Sequence, residues 1–440
     1  MSGIIHSWPI EIDFNRAQIR SRIRETDILD LKAPASYIVF TDGKLYYAKN
    51  GSSGAIELVD SDAAKVIQYA IDKMPLPGGT IFLRAGKYYL SKNIRITKFV
   101  NLVGEGVRAT ELILAPNANS PMITYCIPSS LFTSVAQLMM IAHMKIDGNK
   151  SNQTSGTAAI VTRENPDDPA CAQVADLLVF DVWIANYKGD GIQIIDTHDF
   201  VISHVAIELC DGWTVKIVSS NKPVDSTVWK PNGVIEAGYL LGNYGGVYLF
   251  YNASTGHALK LIGNEIYPSQ WEAIRVEGAS SGLYSPVIAV GNRISMSNVN
   301  YDAIYLKNAR YCLFIGNILH VTNSRYVFNE DIGCDENVFA YNYTSPSQTA
   351  PYIKKSGART VVVSELYIRT RNSGVAMILT GSTRVTVSHG LIQAPSKVLI
   401  TPLAQPAGKL WVENITSTSF DIVTDTAPTA DLKVAWYAEV

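Results

Sequence analysis

One short pattern recurs in the second half of the chain, as Gly263-Asn264-Glu265-Ile266, Gly291-Asn292-Arg293-Ile294 and Gly316-Asn317-Ile318-Leu319. Gly242-Asn243 and Tyr341-Asn342 extend it on either side, so that successive copies lie about 21 to 28 residues apart, the period of a solenoid. Each interval therefore predicts one coil. We expect the asparagines to supply the positive φ of a tight turn and to stack into a ladder.

A second pattern runs in phase with the first and has the alternation of β-strands. It includes Gly189-Asp-Gly-Ile-Gln-Ile, Cys210-Asp-Gly-Trp-Thr-Val-Lys-Ile, Trp271-Glu-Ala-Ile-Arg-Val-Glu and Tyr301-Asp-Ala-Ile-Tyr-Leu-Lys. Because successive strand residues point to opposite faces, one set must face the interior, and we assign it as Ile192, Val215, Val247, Ile274 and Ile304. The set that then faces solvent is Gln193, Lys216, Tyr248, Phe250, Arg275, Glu277, Tyr305 and Lys307.

Upstream of the repeats, residues 62–72 have apolar residues at helical spacing behind the potential N-cap Asp62, and Pro75 ends the pattern. The following run contains Gly78-Gly-Thr-Ile-Phe-Leu, Ala85-Gly-Lys-Tyr-Tyr-Leu and Val100-Asn-Leu-Val-Gly-Glu-Gly. This stretch resembles the start of pectate-lyase-like proteins, which include many phage tailspikes. The resemblance implies an all-β fold, a right-handed parallel β-helix whose open end is capped by the short helix.

The sequence predicts three regions. Residues 1–60 hold an N-terminal arm, polar and Arg-rich over 15–31, and a β-meander in which Asp42-Gly43 and Asn50-Gly51 form turns. Residues 61–373 form the β-helix. Residues 374–440 have about six short alternating strands, which predict a small β-sandwich, and this segment is similar to the C-terminal sandwiches of phage and archaeal-virus tail or fibre proteins.

Composition excludes several classes of function. Lys and Arg number 37 against 39 Asp and Glu, a net charge of -2 that gives no basic field for nucleic acid. No apolar run approaches the length of a membrane span, and no Sec-type signal peptide is seen. These features leave a cytoplasmic protein, or one that leaves the cell by another route, such as release with a virus particle at lysis. Of these we expect an extracellular or virion-associated protein without a Sec-type signal. The five cysteines are scattered singly, which predicts buried thiols.

Catalytic motifs with fixed spacing are not found. The sequence has no Gly-x-Ser-x-Gly, no His-Glu-x-x-His and no phosphate loop, and it departs from the Asn-Thr-Asp, Asp-Asp and Gly-His-Gly set of polygalacturonases. Four acids precede the inward residue of a repeat, namely Asp190, Asp211, Glu272 and Asp302. Stacked coils lie roughly 4.8 Å apart, so acids at the same position of adjacent coils could form pairs, Glu272 with Asp302 and Asp190 with Asp211. Their carboxyl groups would then be about as far apart as the two catalytic carboxyl groups of a retaining glycosidase.

Glu272 and Asp302 are the preferred catalytic pair, because Asp190 and Asp211 each precede Gly and fit ordinary turns. Arg275 would be the third catalytic residue, and the predicted substrate-binding residues are Tyr248, Phe250, Glu277, Tyr305 and Lys307. Rings and charges on one face suit sugars, and Arg275 or Lys307 could neutralise a uronate carboxylate. A solvated polar face without a ligand explains the same residues.

Two functions remain open from the sequence. One is a polysaccharide-degrading enzyme, a lyase or glycoside hydrolase acting on an acidic polysaccharide. The other is a non-catalytic glycan-binding adhesin or virion fibre component. The tailspike resemblance implies a homotrimer. No metal or other cofactor is predicted. Asp147-Gly148-Asn149 has oxygen ligands of the type that calcium takes, but a loop turn is the preferred interpretation of these residues.

Overall fold

The structure is a computed structural model, and it describes residues 4–7, 10–13, 35–131, 138–168, 171, 174–219, 231–252, 258–280, 286–298, 300–344, 353–363, 369–391 and 393–440. The arm predicted over 15–31 lies outside these residues. Strands β1 (Ile4–Ser7) and β2 (Ile10–Asp13) form an antiparallel hairpin. The meander is formed by β3 (Tyr37–Thr41), β4 (Tyr46–Asn50) and β5 (Ile56–Asp60).

Helix α1 (Ala63–Lys73) closes one end of the core. The Asp62 carboxylate caps it by accepting a hydrogen bond from the Ala64 amide, and it ends ahead of Pro75 as the sequence predicts. Its apolar face, which includes Val66, Ile67 and Ile71, is buried in the same cluster as the interior of the coils. Among the described residues, no helix has the length and apolar character needed to cross a membrane.

The coils follow α1 as short strands connected by tight turns and loops. They are β6 (Gly78–Leu83), β7 (Gly86–Leu90), β8 (Ile94–Ile96), β9 (Phe99–Gly104), β10 (Thr110–Leu114), β11 (Ile123–Tyr125), β12 (Met139–Asp147), β13 (Ala158–Val161), β14 (Leu177–Ala185), β15 (Asp190–Ile195), β16 (Phe200–Ser203), β17 (Ala206–Glu208), β18 (Trp213–Val218), β19 (Asn232–Glu236), β20 (Tyr239–Leu241), β21 (Gly245–Tyr251), β22 (Ala258–Ile262), β23 (Glu265–Tyr267), β24 (Ile274–Gly278), β25 (Val287–Val290), β26 (Arg293–Met296), β27 (Ile304–Lys307), β28 (Leu313–Ile315), β29 (Ile318–Val321), β30 (Phe328–Glu330), β31 (Val338–Ala340), β32 (Tyr343–Thr344), β33 (Ile353–Lys354) and β34 (Val361–Val363).

These strands stack into three parallel sheets, which confirms the β-helix. Sheet I contains β6, β9, β16, β19, β22, β25, β28, β31 and β34 together with the first halves of β12 and β14. Sheet II contains β7, β10, β17, β20, β23, β26, β29, β32 and the second halves of β12 and β14. Sheet III contains β8, β11, β13, β15, β18, β21, β24, β27, β30 and β33. A full coil therefore contributes one strand to each sheet.

The predicted inward row is confirmed in sheet III. Ile192, Val215, Val247, Ile274 and Ile304 pair in sequence from strand to strand, and each is buried. Because alternation sends their neighbours outward, the register of the sheet fixes the outer face as well.

The asparagine ladder forms at the corner between sheets I and II. Asn264, Asn292, Asn317 and Asn342 are buried, and each amide oxygen from Asn292 onward accepts hydrogen bonds from the backbone N–H and the side-chain amide of the previous member. Their own Nδ2 groups also donate to carbonyls of an adjacent coil.

Two details of the predicted ladder are wrong. Positive φ belongs to the residue before each asparagine, with φ of 62° at Gly263, 65° at Gly291 and 61° at Gly316. Glycine takes this conformation without a Cβ penalty, and the asparagine is then free to point inward. Asn243 lies outside the ladder, at the turn before β21, where it donates to the Ile207 carbonyl.

The C-terminal segment forms two three-stranded antiparallel sheets with a shared core, as predicted for a sandwich. One sheet has the order β35 (Arg371–Ile378), β40 (Leu432–Glu439), β37 (Lys397–Pro402), and the other has the order β36 (Arg384–Ser388), β39 (Ser419–Thr424), β38 (Leu410–Glu413). Phe420, Val434 and Trp436 are buried between them. The domain boundaries at 60/61 and 373/374 stay predictions.

The cysteine prediction is wrong for one pair. Cys126 and Cys171 form a disulfide, because their loops on neighbouring coils bring the two thiols together. Cys210, Cys312 and Cys334 are buried free thiols as expected, and burial raises the pKa of each to about 12.

Candidate functional site

The outer face of sheet III carries the predicted binding residues in two rows. In the first row Tyr248, Arg275, Tyr305, Asn329 and Lys354 are register partners on β21, β24, β27, β30 and β33. In the second row Phe250, Glu277 and Lys307 are partners. The structure therefore brings together every outward residue that the sequence assigned to this region.

Arg275 lies at the centre of this face. Its guanidinium donates to both oxygens of Glu272 at 3.3 Å and to Glu277 Oε1 at 2.6 Å, and it stacks on the Tyr305 ring with Cζ 4.7 Å from the centroid. Burial lowers the pKa of Arg275, but the hydrogen bond to Glu277 and the charge of Glu272 raise it above its usual value. Arg275 therefore stays a cation that two carboxyl groups hold in place.

Glu272 is a buried carboxyl group at the turn before β24. Its side chain is 3% exposed. Burial raises the pKa of Glu272 above its usual range, although the nearby charge of Arg275 lowers it in part. A carboxyl group of this type keeps a larger protonated fraction near neutral pH than an exposed glutamate does, which suits a proton donor.

Asp302 has different surroundings from Glu272. It is completely buried, and Arg325 donates to both of its oxygens, from Nε at 2.9 Å and from a terminal nitrogen at 2.5 Å. The Asn329 amide donates to the same carboxylate at 2.7 Å. Both oxygens of Asp302 are thus occupied by donors from the next coil.

The tyrosines of the first row also donate to carboxylates. Tyr248 donates to Glu277 Oε2 at 2.9 Å, and Tyr305 donates to Asp331 Oδ2 at 2.8 Å. Burial is the largest cause that raises the pKa of each phenol above its usual value. The hydrogen bond from Tyr305 lowers the pKa of Asp331, so this carboxylate is ionised at neutral pH. The phenols are therefore protonated donors.

A cleft of about 470 Å³ opens where these groups meet. Its lining is Glu272, Arg275, Asn300, Tyr301, Tyr305, Arg325, Tyr326, Asn329, Asp331 and Lys354. Arg325 and Lys354 are 48% and 49% exposed, so their charges reach solvent. The side-chain amide oxygen of Asn329, Oδ1, is buried and has no hydrogen-bond partner among the described residues. The cleft thus offers cations, aromatic rings and one unsatisfied acceptor.

Only some of the predicted site residues line the cleft. Glu272, Arg275 and Tyr305 line it, whereas Tyr248, Phe250, Glu277 and Lys307 lie on the adjoining surface. The other lining residues were missed from the sequence; they are Asn300, Tyr301, Arg325, Tyr326, Asn329, Asp331 and Lys354. Asn329 and Lys354 continue the first row, so extending the strand alternation past Tyr305 could have found them. Arg325 and Asp331 lie in turns, and no sequence signal identifies them.

The prediction that Asp190 and Asp211 form an alternative acid pair is wrong. Ile192 pairs with Val215, which places Asp190 beside Trp213 rather than beside Asp211. The Asp190 carboxylate accepts a hydrogen bond from the Trp213 amide, and Asp211 forms ion pairs with Lys150 and Lys188. The coil between them is longer than the alignment of the two Asp-Gly motifs assumed, because Asp190 meets Trp213, 23 residues further along the chain, so the two acids occupy different positions of the repeat.

Two groups of described residues have side chains of the types that bind metals, and in both groups these side chains already form other contacts. Asp147 accepts from the Asn149 amide in a turn and pairs with Lys145 at 3.0 Å. Cys126, Asp168 and Cys171 bring three ligand atoms within 4.8 Å of one another, but the two sulfurs are joined in the disulfide. These arrangements favour a turn and a covalent crosslink as the roles of the two groups.

Comparison with known proteins found no matching family model and no match among curated proteins. Solved structures with similar architecture include a mannuronan C-5 epimerase A-module from Azotobacter vinelandii, AlgE6, at 18% identity and a TM-score of 0.42, covering 69% of this chain and 94% of that one. The gp49 tailspike of Pseudomonas phage LKA1 has 11% identity and a TM-score of 0.30, covering 85% and 92%. The Streptococcus pneumoniae surface adhesin PfbA has 12% identity and a TM-score of 0.45, covering 69% and 87%. Similarity at this level assigns no activity and no ligand.

Proposed function

We propose that the protein binds and cleaves an acidic polysaccharide in the cleft of sheet III, as a lyase or glycoside hydrolase. One observation carries the proposal: a buried carboxyl group with a raised pKa, Glu272, lines the same cleft as the half-exposed cations Arg325 and Lys354. Cations of this kind pair with uronate carboxylates, and a poised carboxyl group transfers a proton to or from the reacting bond.

The binding part of the proposal rests on the remaining lining residues. Tyr301 and Tyr326, which are partly exposed, offer rings on which a sugar can stack. A sugar hydroxyl donating to Oδ1 of the Asn329 side chain would satisfy a buried acceptor that otherwise has no partner in the described part of the chain. Such donors and rings select a polar, flat ligand over an apolar one.

The catalytic part assigns separate roles to the two predicted acids. Glu272 is the proton-transfer group, and Arg275 holds its carboxyl group in position. Asp302, with both oxygens occupied, is a positioning residue that orients Arg325 and Asn329. In a hydrolase Glu272 would protonate the glycosidic oxygen as its bond to the sugar carbon breaks, and a water molecule would bond to that carbon and lose its proton to the ionised Asp331. In a lyase Arg325 and Lys354 would neutralise the uronate carboxylate, Asp331 would remove the neighbouring proton, and Glu272 would protonate the oxygen that leaves as the double bond forms.

The test is a panel of uronate polysaccharides. Ultraviolet absorbance of unsaturated chain ends reports a lyase, and reducing ends without that absorbance report a hydrolase. Glu272→Gln should lower turnover about a hundredfold or more while glycan binding is retained, as expected for loss of a general acid or base. Glu265→Gln, on sheet II, is the matched control and should leave turnover unchanged. Full activity of Glu272→Gln on a substrate that the parent cleaves would move the catalytic centre elsewhere.

A second candidate is a non-catalytic adhesin or virion fibre component. The observation that favours it is the pairing of charges in the cleft, where Arg275 contacts two glutamates and Arg325 forms a two-point contact with Asp302. Such a surface can bind a glycan without transferring a proton. Binding to a uronate polysaccharide with no product from any member of the panel would select this function.

Assembly and location are part of the same proposal. We propose a homotrimer that acts outside cells or on a virion, with polysaccharide as its partner. The support is the tailspike resemblance of the sequence. Sedimentation velocity is the direct test of the trimer, because one chain has a mass of 48.1 kDa and three such chains are readily distinguished from one.

A further inference from the structure

Four consecutive coils place a large side chain at the same position, just before their strand of sheet III. The row consists of Tyr244, Trp271, Tyr301 and Arg325, and each member lies three residues before the inward residue of its coil. Backbone hydrogen bonds join neighbours at both ends, because the Trp271 N–H donates to the Tyr244 carbonyl and the Arg325 N–H donates to the Tyr301 carbonyl. The row therefore runs along the solenoid axis beside Glu272, with one side chain about every 4.8 Å.

The first two members of the row belong to a cluster of aromatic rings. The Trp213 ring centroid lies 5.3 Å from that of Trp271 and 5.1 Å from that of Tyr248, and Tyr244 meets Trp271 edge-on at 5.6 Å. Trp213 is buried, whereas Trp271, Tyr244 and Tyr248 are partly exposed. Gly245 leaves the space for the Trp213 ring, since a Cβ there would lie 2.3 Å from a ring carbon. The buried Trp213 thus holds the Trp271 ring in place at the surface.

The two ends of the row differ in charge. At the cleft end, Arg325 and Lys354 are cations with about half of their side chains exposed. At the aromatic end, the outward cations of β18 and β24 are Lys216 and Arg275, and both lie close to carboxyl groups. Arg275 contacts two glutamates, and the charge of Lys216 opposes the rise in the pKa of Asp190 that burial causes. The aromatic end therefore offers a ring surface whose neighbouring charges are balanced.

We infer that the polysaccharide chain lies along this row, with an uncharged sugar on the rings of Trp271 and Tyr244 and a uronate at Arg325 and Lys354. The substrate is then an acidic heteropolysaccharide in which uncharged sugars alternate with uronates. The apolar face of an uncharged sugar packs on an indole ring, whereas a carboxylate placed there would lose hydration without gaining a cation. The inference rests on the proposed function, because it extends the cleft of sheet III towards β18. Glu272 follows Trp271 directly in the chain, so the bond between the two sugars lies beside the proton-transfer group.

The test measures the binding of intact polymers, with every protein carrying Glu272→Gln so that the chains are not cut. Hyaluronan and unsulfated chondroitin alternate a uronate with an uncharged N-acetylated sugar, whereas every sugar of polygalacturonate and alginate is a uronate. The protein with Trp271 intact should bind an alternating polymer more tightly than either homouronate. Trp271→Ala should weaken binding of the alternating polymer by about tenfold and leave homouronate binding unchanged, because only the ring surface is lost. Tyr244→Ala should have the same selectivity.

Two further variants separate lost stacking from altered folding. Trp271→Phe keeps a ring and should retain most of the affinity for the alternating polymer. Trp183→Ala makes the same change as Trp271→Ala at a partly exposed tryptophan of sheet II and should alter no affinity. Circular dichroism and thermal melting verify that each variant is folded.

The outcomes distinguish this inference from the proposed function. Tighter binding of homouronates, or unchanged affinity of Trp271→Ala for the alternating polymer, would overturn the inference and leave the proposed function standing. Absence of binding to all four polymers would count against both.

Discussion

Replacing Asn317 by leucine should destabilise the β-helix more than an average core substitution does. Asn317 is completely buried at the middle of the asparagine ladder. Its Nδ2 donates to the Ala289 carbonyl at 3.0 Å and to Asn342 Oδ1 at 2.9 Å, and its Oδ1 accepts from the backbone and side chain of Asn292 at 3.0 and 2.9 Å. Leucine has nearly the same size but makes none of these four contacts.

The magnitude follows from the groups that leucine leaves behind. The Asn292 backbone N–H, the Asn292 side-chain amide and the Ala289 carbonyl all lose a partner inside the core, and each buried unsatisfied group costs about 1–3 kcal/mol. The added apolar surface offsets a part of this cost, so we expect a loss of about 3–6 kcal/mol in the free energy of unfolding. Asn317→Asp should be at least as harmful, because aspartate cannot donate to Ala289 or Asn342 and adds a buried charge.

Urea denaturation followed by circular dichroism measures the effect. Asn152→Leu is the control, since Asn152 is exposed and its side chain makes a single hydrogen bond, to Asn149. It should change the free energy of unfolding by less than about 1 kcal/mol. If Asn317→Leu unfolds at the same urea concentration as the control, the ladder contributes no specific stability, and apolar packing alone would explain the coils.

Three further predictions concern burial and charge. Ile304→Asp should lower the melting temperature strongly, at a cost of several kcal/mol for an unpaired buried charge, and an unchanged melting curve would contradict the inward register. Burial raises the pKa of Asp190, so its protonated form contributes stability that is lost as pH rises above about 4. Asp190→Asn should remove that loss, giving a higher melting temperature than the parent at pH 7 and the same one at low pH; parallel curves across pH would refute this. Arg325→Gln leaves the buried Asp302 carboxylate without its guanidinium and should cost about 3–5 kcal/mol in chemical denaturation, much of which the double variant with Asp302→Asn should recover if the pairing is responsible.

Short-range patterns in the sequence were sufficient for the elements of the fold. Asp62 and Pro75 predict the ends of α1, because capping and helix termination depend on residues within one turn. The inward row from Ile192 to Ile304 follows from alternation, because a strand exposes opposite faces at successive residues. The same logic placed Tyr248, Arg275 and Tyr305 together on one surface, which is the part of the candidate site that the structure reproduces.

Coils of unequal length align in a way that the sequence does not show, so only the tertiary structure determined which acids share a row and which asparagines share the ladder. Repeat counting placed Asp190 and Asp211 in one row, but the actual pairing of Ile192 with Val215 separates them. Asn243 was counted into the ladder although it lies at a different corner of its coil.

Contacts between coils were likewise beyond the sequence. Arg325 reaches Asp302 from a turn of the next coil, and Cys126 meets Cys171 across a separation of 45 residues. The pattern of the sequence shows which residues alternate or repeat. The distance between two side chains on neighbouring coils also depends on the length of every loop between their strands. For this reason the sequence alone predicted the solenoid and its inward rows, and only the folded coils determined which charged groups share the cleft.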